Sequence, residues 1–451
     1  MWVIVGLSLA ATVTNRVPLS LIGFGWLLGI GVVGWISQPT PPPKLTLFCL
    51  AYLGLSLIST WIYSPQALSN PGFYRYDGNL LITYEPLLVL PWLPTLPKSS
   101  GKILRNFVRW SCSVSLIALV LLKLAGNAEW QKGLFNSTNG FGGFLMIVAC
   151  LAVGWFAADR NTKVEPGFWV IVSTGMIIAA KSRGSLLGVG LSILLLPLLQ
   201  AWGARSFKAG ILLIAALITS IQLVLIAPAV QTYSGGAHEA ALADAFHESD
   251  GTKDANILIR VYENWPRGIY LFLKSPLLGT GYGSANDFPF SFEHNGPSLL
   301  QLNQTREYTF SDAHAHHTYF HILGEQGLIG LLVFLLFWGE ILNTLIRSKG
   351  EHSVRLGLCL AWVALTFASF TEHRIPSPSN AFPFVLMICL YWIAQPKQRL
   401  KSIGHPSVGQ DGAASQLPTH TPKAHGSWDR RRSSQTSPQR DSSSVPRRRP
   451  W

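Results

Sequence analysis

"DAHAHHTYFHILGEQGLIGLL", residues 312–332, carries the chain from a histidine-rich polar stretch into a glycine-punctuated apolar run. His314, His316, His317 and His321 crowd its first half, and apolar residues then continue to about 346. A helix rises about 1.5 Å per residue, so a run over 317–346 is long enough to cross a hydrocarbon core of roughly 30 Å. The imidazoles therefore sit where a helix meets the edge of a membrane.

The same pattern recurs along the chain. Only 13% of its 451 residues are charged and 49% are hydrophobic, against about 25% charged in a soluble domain; mean hydropathy is +0.30. Apolar runs at 2–14, 17–36, 45–63, 79–96, 106–125, 138–158, 166–182, 185–202, 208–228, 317–346, 354–371 and 380–396 predict an all-α, polytopic bundle of about twelve transmembrane helices. Alternating strand patterns are absent, and lipid admits only helices or a closed barrel. Four domains follow: spans one to nine over 1–228, one long loop at 229–316, spans ten to twelve over 317–396, and a tail at 397–451.

Charge fixes an expected orientation. The net charge is +13. The tail alone holds eleven Lys or Arg and three Asp, so +8 of it lies there; this local charge argues against a nucleic-acid surface. Rich in Ser, Pro and Gly and without periodicity, the tail reads as disordered and cytoplasmic. Basic residues prefer inside loops. Lys98, Lys102, Arg105, Arg160, Lys163, Arg205, Lys208, Arg347, Lys349 and Arg355 then lie inside, both termini are cytoplasmic, and loop 229–316 is outside. The five cysteines all fall in apolar runs and read as packing residues.

Within the outer loop, "NILIRVYENWPRGIYLFL" (256–273) predicts an amphipathic helix on the membrane surface, bent at Pro266, with Tyr262, Trp265 and Tyr270 suited to the interface. Arg260 and Arg267 lie on it. Arg183 and Lys181 occupy a tight hairpin, "AAKSRGSLLG", on the same side. Arginines at an outer edge run against the charge rule and ask for a ligand. Guanidinium groups pair with phosphate oxygens bidentately, and an imidazole titrates near neutral pH. Together they fit transfer from a lipid-linked diphosphate: arginines offset charge on the leaving diphosphate and a histidine takes the acceptor's proton. A rival reading uses His317 and His321, one helical turn apart, with His314, His316 and Asp312 as a metal site.

Four stretches resemble the O-antigen ligase and polymerase family of bacterial membrane glycosyltransferases, in that family's order. They are "LFNSTNGFGGFL" (134–145), "KSRGSLLGVGLSILLL" from 181, "SPLLGTGYGS" from 275 and "AHHTYFHILGEQGLIGLL" (315–332). The resemblance implies a GT-C-like helical enzyme of the bacterial inner membrane. It would use an undecaprenyl-pyrophosphate-linked glycan and a lipid or saccharide acceptor at the outer face, with inversion and without a cofactor or metal. Carried over by motif, Arg183, Arg260 and His316 are catalytic. Lys181, Arg267, Trp265, His317 and Glu85 are expected to line the substrate cavity. His317 stands where the family commonly has Asn. The branch stays open between ligase and polymerase. Some relatives are labelled inorganic-carbon transporters, so bicarbonate transport is the alternative from another class, with Glu85 in proline-broken span four as its best support.

Overall fold

A computed structural model describes residues 17–37, 41–63, 65, 68, 79–92, 99–135, 137–159, 162–235, 260–282 and 315–394. The run 2–14, the tail, Asp312 and His314 lie outside the described residues. Among these residues every regular element is helical. In chain order the helices are α1 (Val17–Ser37), α2 (Lys44–Tyr63), α3 (Asn79–Val89), α4 (Ser100–Leu124), α5 (Thr138–Ala158) and α6 (Val164–Ala179). They continue as α7 (Arg183–Pro197), α8 (Gly203–Gly235), α9 (Trp265–Lys274), α10 (Thr318–Arg347), α11 (His352–Ala368) and α12 (Pro378–Ile393). The eleven expected runs from 17–36 onward each coincide with a helix, and α9 is the amphipathic piece. Among the described residues six helices are long and apolar enough to cross a membrane: α2, α4, α5, α7 with its extension to Ala201, α8 and α10. α6, α11 and parts of α1 and α12 are shorter apolar helices.

Several boundaries differ from expectation, the start of α4 at Ser100 rather than 106 among them. α3 ends at Val89 and tightens into a 3-10 turn, Leu90–Trp92, well short of 96. α8 runs to Gly235, past the expected end at 228, and keeps Pro228 inside it. Pro266 sits in the first turn of α9, directly behind a π turn at Arg260–Asn264, so the amphipathic piece is two helical types joined next to the proline. Proline is suited to that place because a first-turn N–H has no intrahelical acceptor to lose.

α5 is the central post. Every residue from Gly140 to Trp155 is buried, between α4, α6, α7, α11 and α12. Glycine makes this possible where α5 crosses α11: a Cβ on Gly154 would lie 2.3 Å from the Cα of Gly357. Small residues bring backbones close enough for dispersion contacts to hold helices together in lipid. The outer surface is the reverse. Leu212, Leu213 and Val224 of α8 are 69%, 72% and 74% exposed, an apolar exterior that belongs in hydrocarbon. Arg109 of α4 and Glu165 of α6 pair at 2.6 and 2.9 Å near one end of the bundle.

α10 is interrupted at Gly327, where φ is +63° and ψ −163°. The break frees backbone groups that lipid could not satisfy. The turn at 275–281 fills it. Thr280 and Gly281 donate to the carbonyls of Gly324 and Glu325 at 3.2 and 2.8 Å, and Leu328 and Ile329 donate to those of Pro276 and Leu277 at 2.8 and 3.2 Å. Gly279, at φ +72°, passes so close that a Cβ would lie 2.2 Å from the carbonyl carbon of Glu325. Polar groups on α2 complete the joint: Ser56 accepts from Gln326 at 2.8 Å, Ser59 accepts from the Tyr282 N–H at 3.2 Å, and Thr60 donates to the Tyr282 carbonyl at 3.1 Å. Two stretches that the sequence presents as separate motifs are one structural unit. It fixes the segment carrying Arg260 against the helix that His316 precedes.

Candidate active site

The site forms where the N-terminal end of α10 meets the connection between α11 and α12, residues 369–377. His317 ends the approach to α10 as its N-cap. Its Nδ1 accepts from the Phe320 N–H at 3.1 Å, satisfying one of the orphan donors of a helix start. Nδ1 is then the unprotonated nitrogen, so Nε2–H donates to Gln222 Oε1 at 3.0 Å. Gln222 in turn donates to the Phe370 carbonyl at 2.8 Å. The His317 ring stacks on Phe320 with centroids 3.8 Å apart and meets the edge of Trp265 at 5.6 Å. It is wholly buried, and both ring nitrogens are engaged.

The preceding residue is turned away by an uncommon backbone. His316 has φ +44°, a left-handed conformation that costs a non-glycine residue of order 1–3 kcal/mol and persists where surroundings demand it. This points its ring at Glu372, whose Oε2 lies 3.1 Å from His316 Nδ1. The other oxygen, Oε1, accepts from Arg260 Nη2 and, at 2.9 Å, from Asn139 Nδ2. Arg260 also donates through Nη1 to the Thr371 carbonyl at 2.9 Å. Beneath this layer lies Arg374, 1% exposed. It donates to the Asn139 carbonyl and Asn380 Oδ1, each at 3.0 Å, and to Ser182 Oγ at 3.3 Å.

Electrostatics sets the charge states. Burial alone would raise the Glu372 pKa, but the hydrogen bond and charge of His316, then Arg260 and Arg374, outweigh it and hold the carboxyl well below the ordinary range. Burial lowers Arg374 to about 10, with Glu372 opposing and Arg260 adding to the shift, so it stays protonated at neutral pH. One carboxylate thus faces two guanidinium groups, and the cluster carries excess positive charge. Glu372 and His316 remain reachable from outside, at 11% and 22% side-chain exposure.

Two of the expected catalytic residues, Arg260 and His316, come together through Glu372. The third, Arg183, begins α7 and is exposed, with its hairpin against the same cluster. Ser182 contacts Arg374, and a Cβ on Gly184 would lie 2.7 Å from Thr371 Oγ1. Lys181, also exposed, makes the turn at φ +55°. Trp265 is buried against His317. Arg267 lies on α9, its side chain outside the described residues. Glu85 is buried in α3 and does not join the Glu372 cluster; its neighbours Thr83 and Tyr84 hold the carbonyls of Pro376 and Ile375 at 3.3 and 2.8 Å. The metal alternative meets divergent rings: His316 turns to Glu372, His317 to Gln222, and His321 to Glu325 at 3.2 Å.

Glu372 and Arg374 went unread in the sequence as site residues. The signal was there: "TEHR", residues 371–374, places three titratable side chains in a short connection between two apolar runs. Asn139 lies in the quoted "STNG" stretch, but nothing local to it indicates a distant carboxylate partner.

Described residues whose regular elements are all helical, with an apolar exterior, a buried helical post and a polar, cation-rich cluster at helix ends, make this an integral membrane protein. Residues 168–335 match the model of the O-antigen ligase family, which shows the resemblance read from the motifs over the segment that holds Arg183, Arg260 and His316. No curated protein matches the chain.

Proposed function

We propose that the protein transfers a glycan from undecaprenyl pyrophosphate to an acceptor hydroxyl, with inversion, at the outer face of the bacterial inner membrane. The observation that carries this reading is the convergence of Arg260 and His316 on one partly open site with the Ser182–Gly184 hairpin beside it. Loop 229–316 lies outside in this reading, and the bundle is GT-C-like. Arg183 and Arg260 pair with the diphosphate oxygens. His316 takes the acceptor's proton as the acceptor oxygen attacks the anomeric carbon. The bond from that carbon to the diphosphate breaks, its electron pair leaves with the diphosphate, and the arginines offset the growing charge. Lys181, Arg267, Trp265, His317 and Glu85 are proposed to line or support the cavity. His317 does so through the fold, since its ring is already committed.

Alanine at Arg183, Arg260 or His316 tests this in a strain lacking the native copy. Loss of surface polysaccharide with protein still reaching the membrane is expected; full activity of any of them removes that residue from the mechanism. Product analysis separates the family's branches. A ligase moves glycan off the polyprenyl carrier, whereas a polymerase lengthens glycan that stays on it. Bicarbonate transport is less favoured because the break in α10 is filled by protein backbone, whereas a transporter's broken helix lines an ion cavity. Uptake of labelled bicarbonate into proteoliposomes above empty vesicles would reinstate it.

A further inference from the structure

We propose that Glu372 is the positioning residue of the transfer reaction: its carboxylate holds His316 in the tautomer and orientation of a general base and keeps Arg260 beside it. This rests on the reading of His316 as the base. An ionised carboxylate has no proton to give, so the 3.1 Å contact requires Nδ1 of His316 to be the donor. The proton then resides on Nδ1 and the lone pair on Nε2, the nitrogen on the far side of the ring from Glu372. As the acceptor's proton moves to Nε2, the ring becomes imidazolium against an existing negative charge. The acceptor's oxygen keeps the electron pair with which it attacks.

Three further features separate Glu372 from an ordinary loop carboxylate. Its second oxygen is held by Arg260 and Asn139, so the group cannot rotate freely. Its backbone carbonyl accepts from Thr318 Oγ1 at 3.3 Å, and Thr318 N–H donates to the Ser369 carbonyl at 2.9 Å, tying the connection to the start of α10. And His316 adopts a strained backbone that turns its ring toward this carboxylate. The neighbouring His317 has the opposite tautomer for a structural purpose, so two adjacent imidazoles carry their protons on different nitrogens.

The test uses the full chain in lipid nanodiscs with undecaprenyl-diphosphate-linked disaccharide as donor and a membrane lipid extract as acceptor, following release of undecaprenyl diphosphate. Glu372→Gln preserves shape but removes charge. It is expected to lower kcat by about 100-fold or more without raising KM for the donor, because Arg260 keeps its bond to the Thr371 carbonyl and can still meet the diphosphate. If His316→Ala abolishes transfer while Glu372→Gln keeps kcat within about threefold, the proposal is overturned and the base assignment stands. If His316→Ala retains full kcat, the base assignment itself fails. Should Glu372→Gln not accumulate in folded form, the wild-type protein decides. Nitrogen-15 spectra of histidine-labelled protein, with the His316 signal assigned by its loss in His316→Ala, are expected to show protonated Nδ1; protonated Nε2 with bare Nδ1 overturns the proposal.

Discussion

Adjacent histidines offer the sharpest test of how this site is built, because substitutions at 316 and 317 should separate function from stability. His317→Ala removes the N-cap of α10, worth about 1 kcal/mol. It also strands the buried Oε1 of Gln222, at about 1–3 kcal/mol, and leaves a cavity where the ring stacked on Phe320. These effects share partners and do not simply add; a loss of about 4 kcal/mol is expected. His317→Asn should recover about 1 kcal/mol of it, since Asn is a strong N-cap but too short to keep the stack and the Gln222 bond. That also explains the departure from the family pattern at 317: the position requires an acceptor for the Phe320 N–H, which His supplies through Nδ1 and Asn would supply through its amide oxygen. His316→Gly is the counterpart. It releases about 1 kcal/mol of left-handed strain and gives up one charge-assisted hydrogen bond worth about 1.5–3 kcal/mol, so stability should move by no more than about 2 kcal/mol. Transfer should fall by about 100-fold or more. Thermal unfolding followed by fluorescence-detected size exclusion, paired with turnover per folded molecule, reads both quantities. If His317→Ala unfolds at the wild-type temperature yet is inactive, the division of roles is wrong.

Gly279→Ala should be destabilised by more than about 3 kcal/mol, since its Cβ would press on the α10 backbone at a left-handed φ; the measure is the folded fraction recovered from membranes. The depressed pKa of Glu372 contributes stability above the ordinary glutamate value of about 4.3. That contribution is lost as pH falls below it toward the folded-state value, so the unfolding temperature of wild type should decline on acidification in this window and that of Glu372→Gln should decline less. Arg374→Lys should be strongly destabilising, because an ammonium cannot span the three acceptors that the guanidinium fork reaches; wild-type stability would refute that account. Glu165→Ala, by contrast, should cost no more than about 1 kcal/mol in thermal unfolding, its pair with Arg109 being more than 40% exposed on both sides.

Hydropathy located the helices because a lipid-facing backbone leaves few alternatives: the runs at 138–158 and 317–346 match α5 and α10 to within a residue or so. Boundaries set by packing were harder to read. α8 runs through Pro228, and α3 stops at Val89, where its chain tightens against neighbours that hydropathy does not see. At the site, the cations were legible because Arg183 and Arg260 stand against the charge rule in the orientation expected from the sequence, and His316 because a motif carried it. The anion was not. Glu372 gains its meaning from groups 56, 112 and 233 residues away, and nothing in "TEHR" alone distinguishes a buried counter-charge from a solvated loop. Likewise, the choice between His316 and His317 turns on a backbone angle that composition does not encode.

The splice between the 275–281 turn and the interrupted helix is made from main chain, so it specifies a path and leaves the decoration open. Leu277 and Leu278 point outward at 63% and 49% exposure and should accept other greasy residues without penalty. Under the proposed function, the same seam restricts how a bulky lipid can enter. Swinging the Arg260 segment aside would mean unzipping four backbone hydrogen bonds inside an oily surrounding, so the carrier of the proposed reaction would have to slide in past a doorway whose hinge post is already fastened shut.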